Sequence, residues 1–336
     1  MTTHPGRRVV LASRPSGAFR PPDLAVEQVE VASPDPGQVI VAVDTLSIDA
    51  FIRTILDDGG YHLSVPMGGL VTALGVGTVV DSRDEALQPG DHVFGPLGAQ
   101  THARLPAAAL RKLDVGGPPA RAYLGALGLT TGITAYFGIC EVGAVTAGDV
   151  VVVSGAAGAV GSVAGQLARI AGAGHVIGVA GGPAKCAFLV DELGFDAAVD
   201  YKHDDVSARL RVLAPDGIDV FFDNVGGSTL DAVLLQIRER ARVVICGAIS
   251  QYERMDHVAG PTNYLKLAER HARMEGFAVT HFAPRFGEAE VALAGWLAEG
   301  RLKVHEHVLH GIENFAVALD TLLSGGHSGK LLLQVS

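Results

Sequence analysis

The chain has 336 residues, 48% of them hydrophobic and 18% charged, with a formal net charge of −10. That length suits roughly two domains with sizeable cores. The acidic balance excludes phosphate-backbone binding as the main task and leaves room only for a local basic pocket. Three scattered cysteines, Cys140, Cys186 and Cys246, exclude a disulfide framework and a structural zinc knot.

The opening stretch MTTHPGRRVVLASRPSG has no long apolar run after its basic residues. No stretch reaches the ~18 uncharged apolar residues of a membrane span. The expectation is a soluble, cytoplasmic protein with neither a nucleic-acid nor a membrane partner. Residues 1–120 read as β-rich: RRVVLAS, GQVIVAVDTLSI, GVGTVVDS and GDHVFG are Val- and Ile-rich segments separated by Gly, Pro and Asp. After about Tyr123 the texture changes. VVVVS (150–154) reads as a strand and AVGSVAGQLARIAG as a helix. HVIGVAG is a strand, AKCAFLVDELG a helix, DAAVDY a strand and DDVSARLRVLA a helix. IDVFFDNVGG is a strand and turn, STLDAVLLQI a helix and ARVVICG a strand. Apolar strands alternating with amphipathic helices predict an α/β fold with a doubly wound parallel sheet. The tail holds a helix, EAEVALAGWLAEG, and a strand-like GKLLLQVS, and is expected to return to the first domain. The expected domains are 1–122 with 292–336, and 123–291.

The first βαβ unit opens on Gly155-Ala156-Ala157-Gly158-Ala159-Val160-Gly161. The spacing is G-x-x-G-x-x-G, where the usual fingerprint is G-x-G-x-x-G. The physics is the same: small residues let the backbone approach a pyrophosphate, and the helix N-terminus offers N–H groups to it. Such a turn alone is also compatible with a ligand-free strand–helix connection; its place in an alternating array points to a dinucleotide. An NAD site carries Asp or Glu about 20 residues on. Here the second strand ends in GVAGG, and no carboxylate occurs before Asp191. Lys185 follows the glycines and Tyr201-Lys202 follows the third strand, which suits a 2′-phosphate and therefore NADP(H).

Several blocks taken together resemble one family. GLTTGITAYFG, GAVGSVAGQLA, GGPAKCAFLVDELGFDAAVDYK, FFDNVGG, CGAISQY and NYLKLAERHARMEGF occur in the order found in zinc-independent medium-chain dehydrogenase/reductases. Within these the chain is similar to the leukotriene hydroxydehydrogenase, prostaglandin reductase and 2-alkenal or curcumin reductase group, from about residue 5 to the C-terminus. The resemblance implies a Rossmann domain inserted into a β-rich GroES-like domain. It also implies NADPH, a homodimer, and reduction of a C=C bond conjugated to a carbonyl in an enal or enone.

By resemblance, Gly158, Ala159, Val160 and Gly161 meet the pyrophosphate, and Lys185 and Tyr201 the 2′-phosphate. Asn224 closes the fourth strand's turn beside the cofactor. Cys246, Gly247, Ala248, Ile249, Ser250 and Tyr252 line the nicotinamide side, with Phe277, Ala278 and Val279 beyond and Thr134 near the carboxamide. His327 stands where relatives often have Asn before the terminal Gly-Lys, and Phe51 where they often have Tyr. Glu269 occupies the place of a tyrosine that some relatives offer as catalytic. Phe51, Tyr61 and Tyr264 are the substrate-side candidates, and Tyr252 is the candidate proton or hydrogen-bond donor; an aromatic wall is an equal reading of it. Zinc-dependent members of the wider superfamily carry a Cys at a position that falls near Leu46 here, and Gly-His-Glu where this chain has Thr72-Ala73-Leu74, so no metal is expected. None of His62, His92 and His102 has metal spacing. Cys246 reads as a small buried hydrophobe and Trp296 as core. Two other functions stay open: a quinone reductase, and an NADPH-binding protein without efficient turnover.

Overall fold

A computed structural model describes residues 3–58, 63–114, 116–253 and 255–335, the side chain of Asp256 excepted. The chain divides into two units: Met1–Leu124 with Glu306–His327 and Leu331–Ser336, and Gly125–His305 with Ser328–Lys330.

The first unit is β-rich. Its strands are β1 (Thr3–Leu11), β2 (Leu24–Ala32), β3 (Gln38–Ser47), β4 (Gly75–Ser82), β5 (His92–Gly95), β6 (His102–Pro106) and β7 (Arg111–Lys112). β1 and β2 form an antiparallel pair in which Thr3 lies opposite Ala32 and Leu11 opposite Leu24. The short helix α1 (Phe51–Ile55) follows β3. Its Arg53 is fully buried, 2.7 Å from Asp57 and donating to the Gly17 carbonyl at 2.7 Å. A buried guanidinium needs such partners, since an unpaired one is strongly disfavoured. Val39, Val41, Leu46, Ile52, Phe315 and Leu333 belong to this unit's core.

The second unit holds β8 (Val150–Ser154), β9 (His175–Ala180), β10 (Ala197–Asp200), β11 (Ile218–Asp223), β12 (Ile237–Ile245) and β13 (Arg273–Gly276). Its helices include α2 (Ala159–Ile170), α3 (Pro183–Ala187), α4 (Val206–Leu213), α5 (Gly227–Leu234) and α6 (Phe286–Ala298). All five strand pairings are parallel, and the order is β10-β9-β8-β11-β12-β13. This is the Rossmann order, and its direction reverses between β8 and β11, where open α/β sheets place their ligands. The strands read as continuous apolar runs because Val152, Ile177, Val199, Phe221 and Val243 are all buried. The chain ends with β14 (Glu306–His310), α7 (Phe315–Leu323) and β15 (Lys330–Gln334). β15 pairs antiparallel with β3 in a seven-stranded sheet.

The structure corrects four readings. The expected boundary at 291/292 falls inside α6, one continuous hydrogen-bonded helix, and the division comes after His305. The helix read over 228–237 ends at Leu234, because Ile237 already opens β12; the charged run Arg238–Arg240 disguises that strand. β2, with its polar Glu27, Gln28 and Glu30, was not anticipated as an element. Trp296 is only half-buried, with its ring 6.2 Å from that of Tyr136.

Candidate active site

The glycine turn leaves β8 at Ser154 and enters α2. Gly155 has φ +55°, a region that favours glycine, and its carbonyl accepts the Gly158 N–H at 2.9 Å. A Cβ at Gly161 would overlap that same carbonyl oxygen, so the helix can start this close to the turn only with glycine there. Gly158 caps α2 without a side-chain bond, and the first intrahelical bond is Ser162 N–H to Gly158 C=O at 2.9 Å. The N–H groups of Ala159, Val160 and Gly161 precede it, and no acidic residue stands in the first turn. A helix start of this kind is an anion cradle. The chain's return also reaches it: Gly329, with φ +71°, donates to the Ala157 carbonyl at 2.8 Å and forms a parallel bridge with Gly158.

At the end of β9, Gly181 lies beneath the second group of candidates. A Cβ there would be 2.8 Å from Tyr201 Cε1 and 3.0 Å from Lys202 Cε. Burial, then the neighbouring Lys202 charge, lowers the Lys185 pKa, so the two ammonium groups share one neighbourhood. Two cations in such a place favour a doubly charged anion. The nearby carboxylate, Asp200, is turned to other work. It accepts the Gly182 N–H at 2.7 Å and the Lys202 N–H at 3.0 Å, and its other oxygen lies 2.7 Å from His203 Nδ1. These contacts, led by His203, hold its pKa below the usual value. Lys202 was noted beside Tyr201 in the sequence but not placed among the site residues; its position over Gly181 adds it.

At the switch point Asp223 ends β11, fully buried. Ser154 Oγ donates to its Oδ1 at 2.6 Å and itself accepts the Asn224 N–H at 2.8 Å. Asn224 Nδ2 donates to the Ser154 carbonyl at 2.7 Å. The 246–250 loop then ties back to this turn: Cys246 and Gly247 N–H reach the Asp223 carbonyl, Ile249 N–H the Asn224 carbonyl, and Ser250 Oγ the Val225 carbonyl at 2.6 Å. Tyr252 is half-buried and folds over its own loop, where its Oη accepts the Ala248 N–H at 3.3 Å. The pairing of Asp223 with Ser154 was missed in the sequence. A carboxylate ending an apolar strand was the available signal, but its partner lies 69 residues away.

Thr134 Oγ1 donates to the Leu129 carbonyl at 2.7 Å within the helical segment 129–142. The Phe277 ring contacts Phe282, which stacks on Phe137 at 4.4 Å; Ala278 and Val279 follow it. Tyr264 is 56% exposed at the start of a short helix. In that helix Glu269 is engaged by Lys266 at 2.6 Å, which lowers its pKa. Phe51 packs partly buried against the first unit's core, and His327 also belongs to that unit. The substrate-side candidate Tyr61 lies outside the described residues, as does His62. Burial, with Asp223 second, pushes the Cys246 thiol to about 12, so it carries almost no thiolate at neutral pH. Leu46 is buried in the core, and among the described residues no three His, Cys, Asp or Glu side chains form a metal-binding group.

A Rossmann sheet with a glycine turn at its first strand and a basic cluster beside its second defines a dinucleotide-binding protein. Residues 7–113 match a family model described as the N-terminal domain of oxidoreductase, and residues 159–294 one described as zinc-binding dehydrogenase. The chain is 36% identical over 340 residues (98% of this chain, 97% of the relative) to the NADP(+)-dependent 2-alkenal reductase of Nicotiana tabacum. It is 34% identical to the NADPH-dependent curcumin reductase of Escherichia coli, again over 98% and 97% of the two chains. The crystal structure of CurA in complex with NADPH from Vibrio vulnificus superposes with a TM-score of 0.93 at 34% identity, covering 98% of this chain and 99% of that one. The chain belongs to the zinc-independent group of the medium-chain dehydrogenase/reductases.

Proposed function

We propose that this chain is an NADPH-dependent reductase of C=C bonds conjugated to a carbonyl, acting on α,β-unsaturated aldehydes and ketones. The cofactor class is NADP(H). The substrate class rests on the full-length likeness to the 2-alkenal and curcumin reductases. The glycine cradle and the Lys185–Tyr201–Lys202 cluster fit a pyrophosphate and a 2′-phosphate. In this reading Gly158, Ala159, Val160 and Gly161 hold the former. Lys185 and Tyr201, joined by Lys202, hold the latter. Asn224, the loop 246–250, Phe277, Ala278, Val279 and Thr134 are assigned to the nicotinamide half.

When bound, the reduced nicotinamide supplies a hydride. The chain supplies position and electrostatics. The Tyr252 hydroxyl accepts the Ala248 N–H through its oxygen, which orients the phenol in the 246–250 loop. It is assigned to the carbonyl oxygen of the substrate, where negative charge gathers as the β-carbon is reduced. Tyr264 is assigned to the substrate's flank.

A second copy of this chain is the proposed partner. β13 is an edge of the parallel sheet, and all four of its residues are exposed. Antiparallel pairing centred on Met274 sets Arg273 of each copy against Glu275 of the other, an isologous and charge-complementary contact. The functional test is steady-state oxidation of NADPH with a panel of enals, enones and quinones. Turnover of enals and enones supports the proposal; turnover confined to quinones makes this a quinone reductase, and none with any acceptor makes it a cofactor-binding protein.

A further inference from the structure

Asp223 is a buried carboxylate that the mechanism above leaves unused. Its Oδ1 takes three donors: Ser154 Oγ at 2.6 Å, Val225 N–H at 3.0 Å and Gly226 N–H at 3.1 Å. Its Oδ2 shares the Gly226 N–H at 3.1 Å. Among the described residues no Lys or Arg pairs with it. Burying such a group is unfavourable unless its donors are fixed. Burial raises its pKa, and the Ser154, Val225 and Gly226 bonds oppose that rise.

What these donors fix is the turn 224–227. Gly226 and Gly227 have φ +70° and +56°, conformations open to glycine. A Cβ at Gly226 would lie 3.3 Å from that of Ala248, so the turn and the 246–250 loop pack backbone to backbone. The loop hangs on this turn through main-chain bonds: Cys246 and Gly247 to the Asp223 carbonyl at 2.9 and 3.1 Å, Ile249 to Asn224 at 3.1 Å, and Ser250 to Val225 at 3.2 Å. One side chain thus sets the turn, and the turn sets the loop. The Gly181–Lys185–Tyr201–Lys202 cluster lies at the ends of β9 and β10, on the other side of β8.

We propose that Asp223 is a positioning residue for the nicotinamide half of the cofactor: its carboxylate locks the 224–227 turn, which carries the 246–250 loop. The assignment rests on placing the nicotinamide at that loop, as above. Because it acts on one half of the site, it separates two ligands. NADPH occupies both halves, whereas 2′,5′-ADP, which lacks the nicotinamide, occupies only the adenosine half.

The test is calorimetric titration of the full chain with each ligand, alongside steady-state rates. Asp223→Ala should weaken NADPH about tenfold or more through loss of the charge-assisted bonds. It should leave 2′,5′-ADP within about twofold, because the Lys185–Tyr201–Lys202 cluster assigned to the 2′-phosphate lies on the other side of β8. Asp223→Asn keeps an oxygen in the place of Oδ1 and should bring NADPH back to within about threefold of the parent. If the Ala variant does not fold, Ser154→Ala removes one of the donors and should shift NADPH alone, in the same direction. Equal weakening of both ligands, or no change in either, overturns the proposal. A parent that binds NADPH but reduces no enone overturns the substrate reading instead, and the two-ligand difference still decides the role of Asp223.

Discussion

Lys185 is where sequence and structure meet at the scale of single residues. The absence of a carboxylate after GVAGG was legible, and the structure sets Lys185 and Lys202 close enough to influence each other. Loss of a charge-assisted contact costs about 1.5–3 kcal/mol, so Lys185→Ala should weaken NADPH roughly ten- to hundredfold and leave NADH almost unchanged. Dissociation constants for the two cofactors check this, and equal losses contradict it. Tyr252 is the less direct case. Its hydroxyl rests on the Ala248 N–H, which orients the oxygen. A single oxyanion donor contributes about 2.7–4 kcal/mol, so Tyr252→Phe should lower kcat at least about tenfold with NADPH affinity nearly intact. An unchanged kcat would leave the tyrosine as a wall. The Ser154–Asp223 pair shows what residue-by-residue reading cannot reach, because hydrogen bonds between separate strands leave no local signature.

Among the elements, those of the parallel sheet were the most legible. VVVVS matches β8 residue for residue, and α2 and β9 follow within two residues of their expected ends. Continuous β-branched runs between glycines leave few alternatives. The first unit was read only as β-rich, since its strands are short and mostly antiparallel, and β2 carries three exposed charged or amide side chains, Glu27, Gln28 and Glu30, on both of its faces. Helix α2 also explains a glycine that no ligand requires. A Cβ on Gly165 would overlap the ring of Phe195, which is buried beside it. Overpacking of this kind costs about 1–3 kcal/mol. Gly165→Ala should therefore lower the unfolding free energy by about that amount, read as a lower denaturant midpoint at unchanged slope, and an unchanged midpoint would mean that the Phe195 ring moves aside freely.

For the whole molecule, membership of the family and the Rossmann order agree, and no described helix is long and apolar enough to cross a membrane. The discontinuous organisation was legible in outline, from a β-rich start and a strand-like tail; the position of the return was not, because α6 carries the same apolar texture across the expected boundary. The proposed dimer can be checked by charge exchange. Glu275→Arg should lower the sedimenting mass toward one copy, and Arg273→Glu combined with Glu275→Arg should restore it; a single variant that sediments like the parent rules out the β13 pairing. The central claim concerns which atom is reduced, and NADPH fully deuterated at nicotinamide C4 tests it most directly. With an enone acceptor, the account predicts a saturated ketone carrying deuterium on the β-carbon, read by NMR of the product. Deuterium on the carbonyl carbon of an allylic alcohol, with the C=C bond intact, would contradict it.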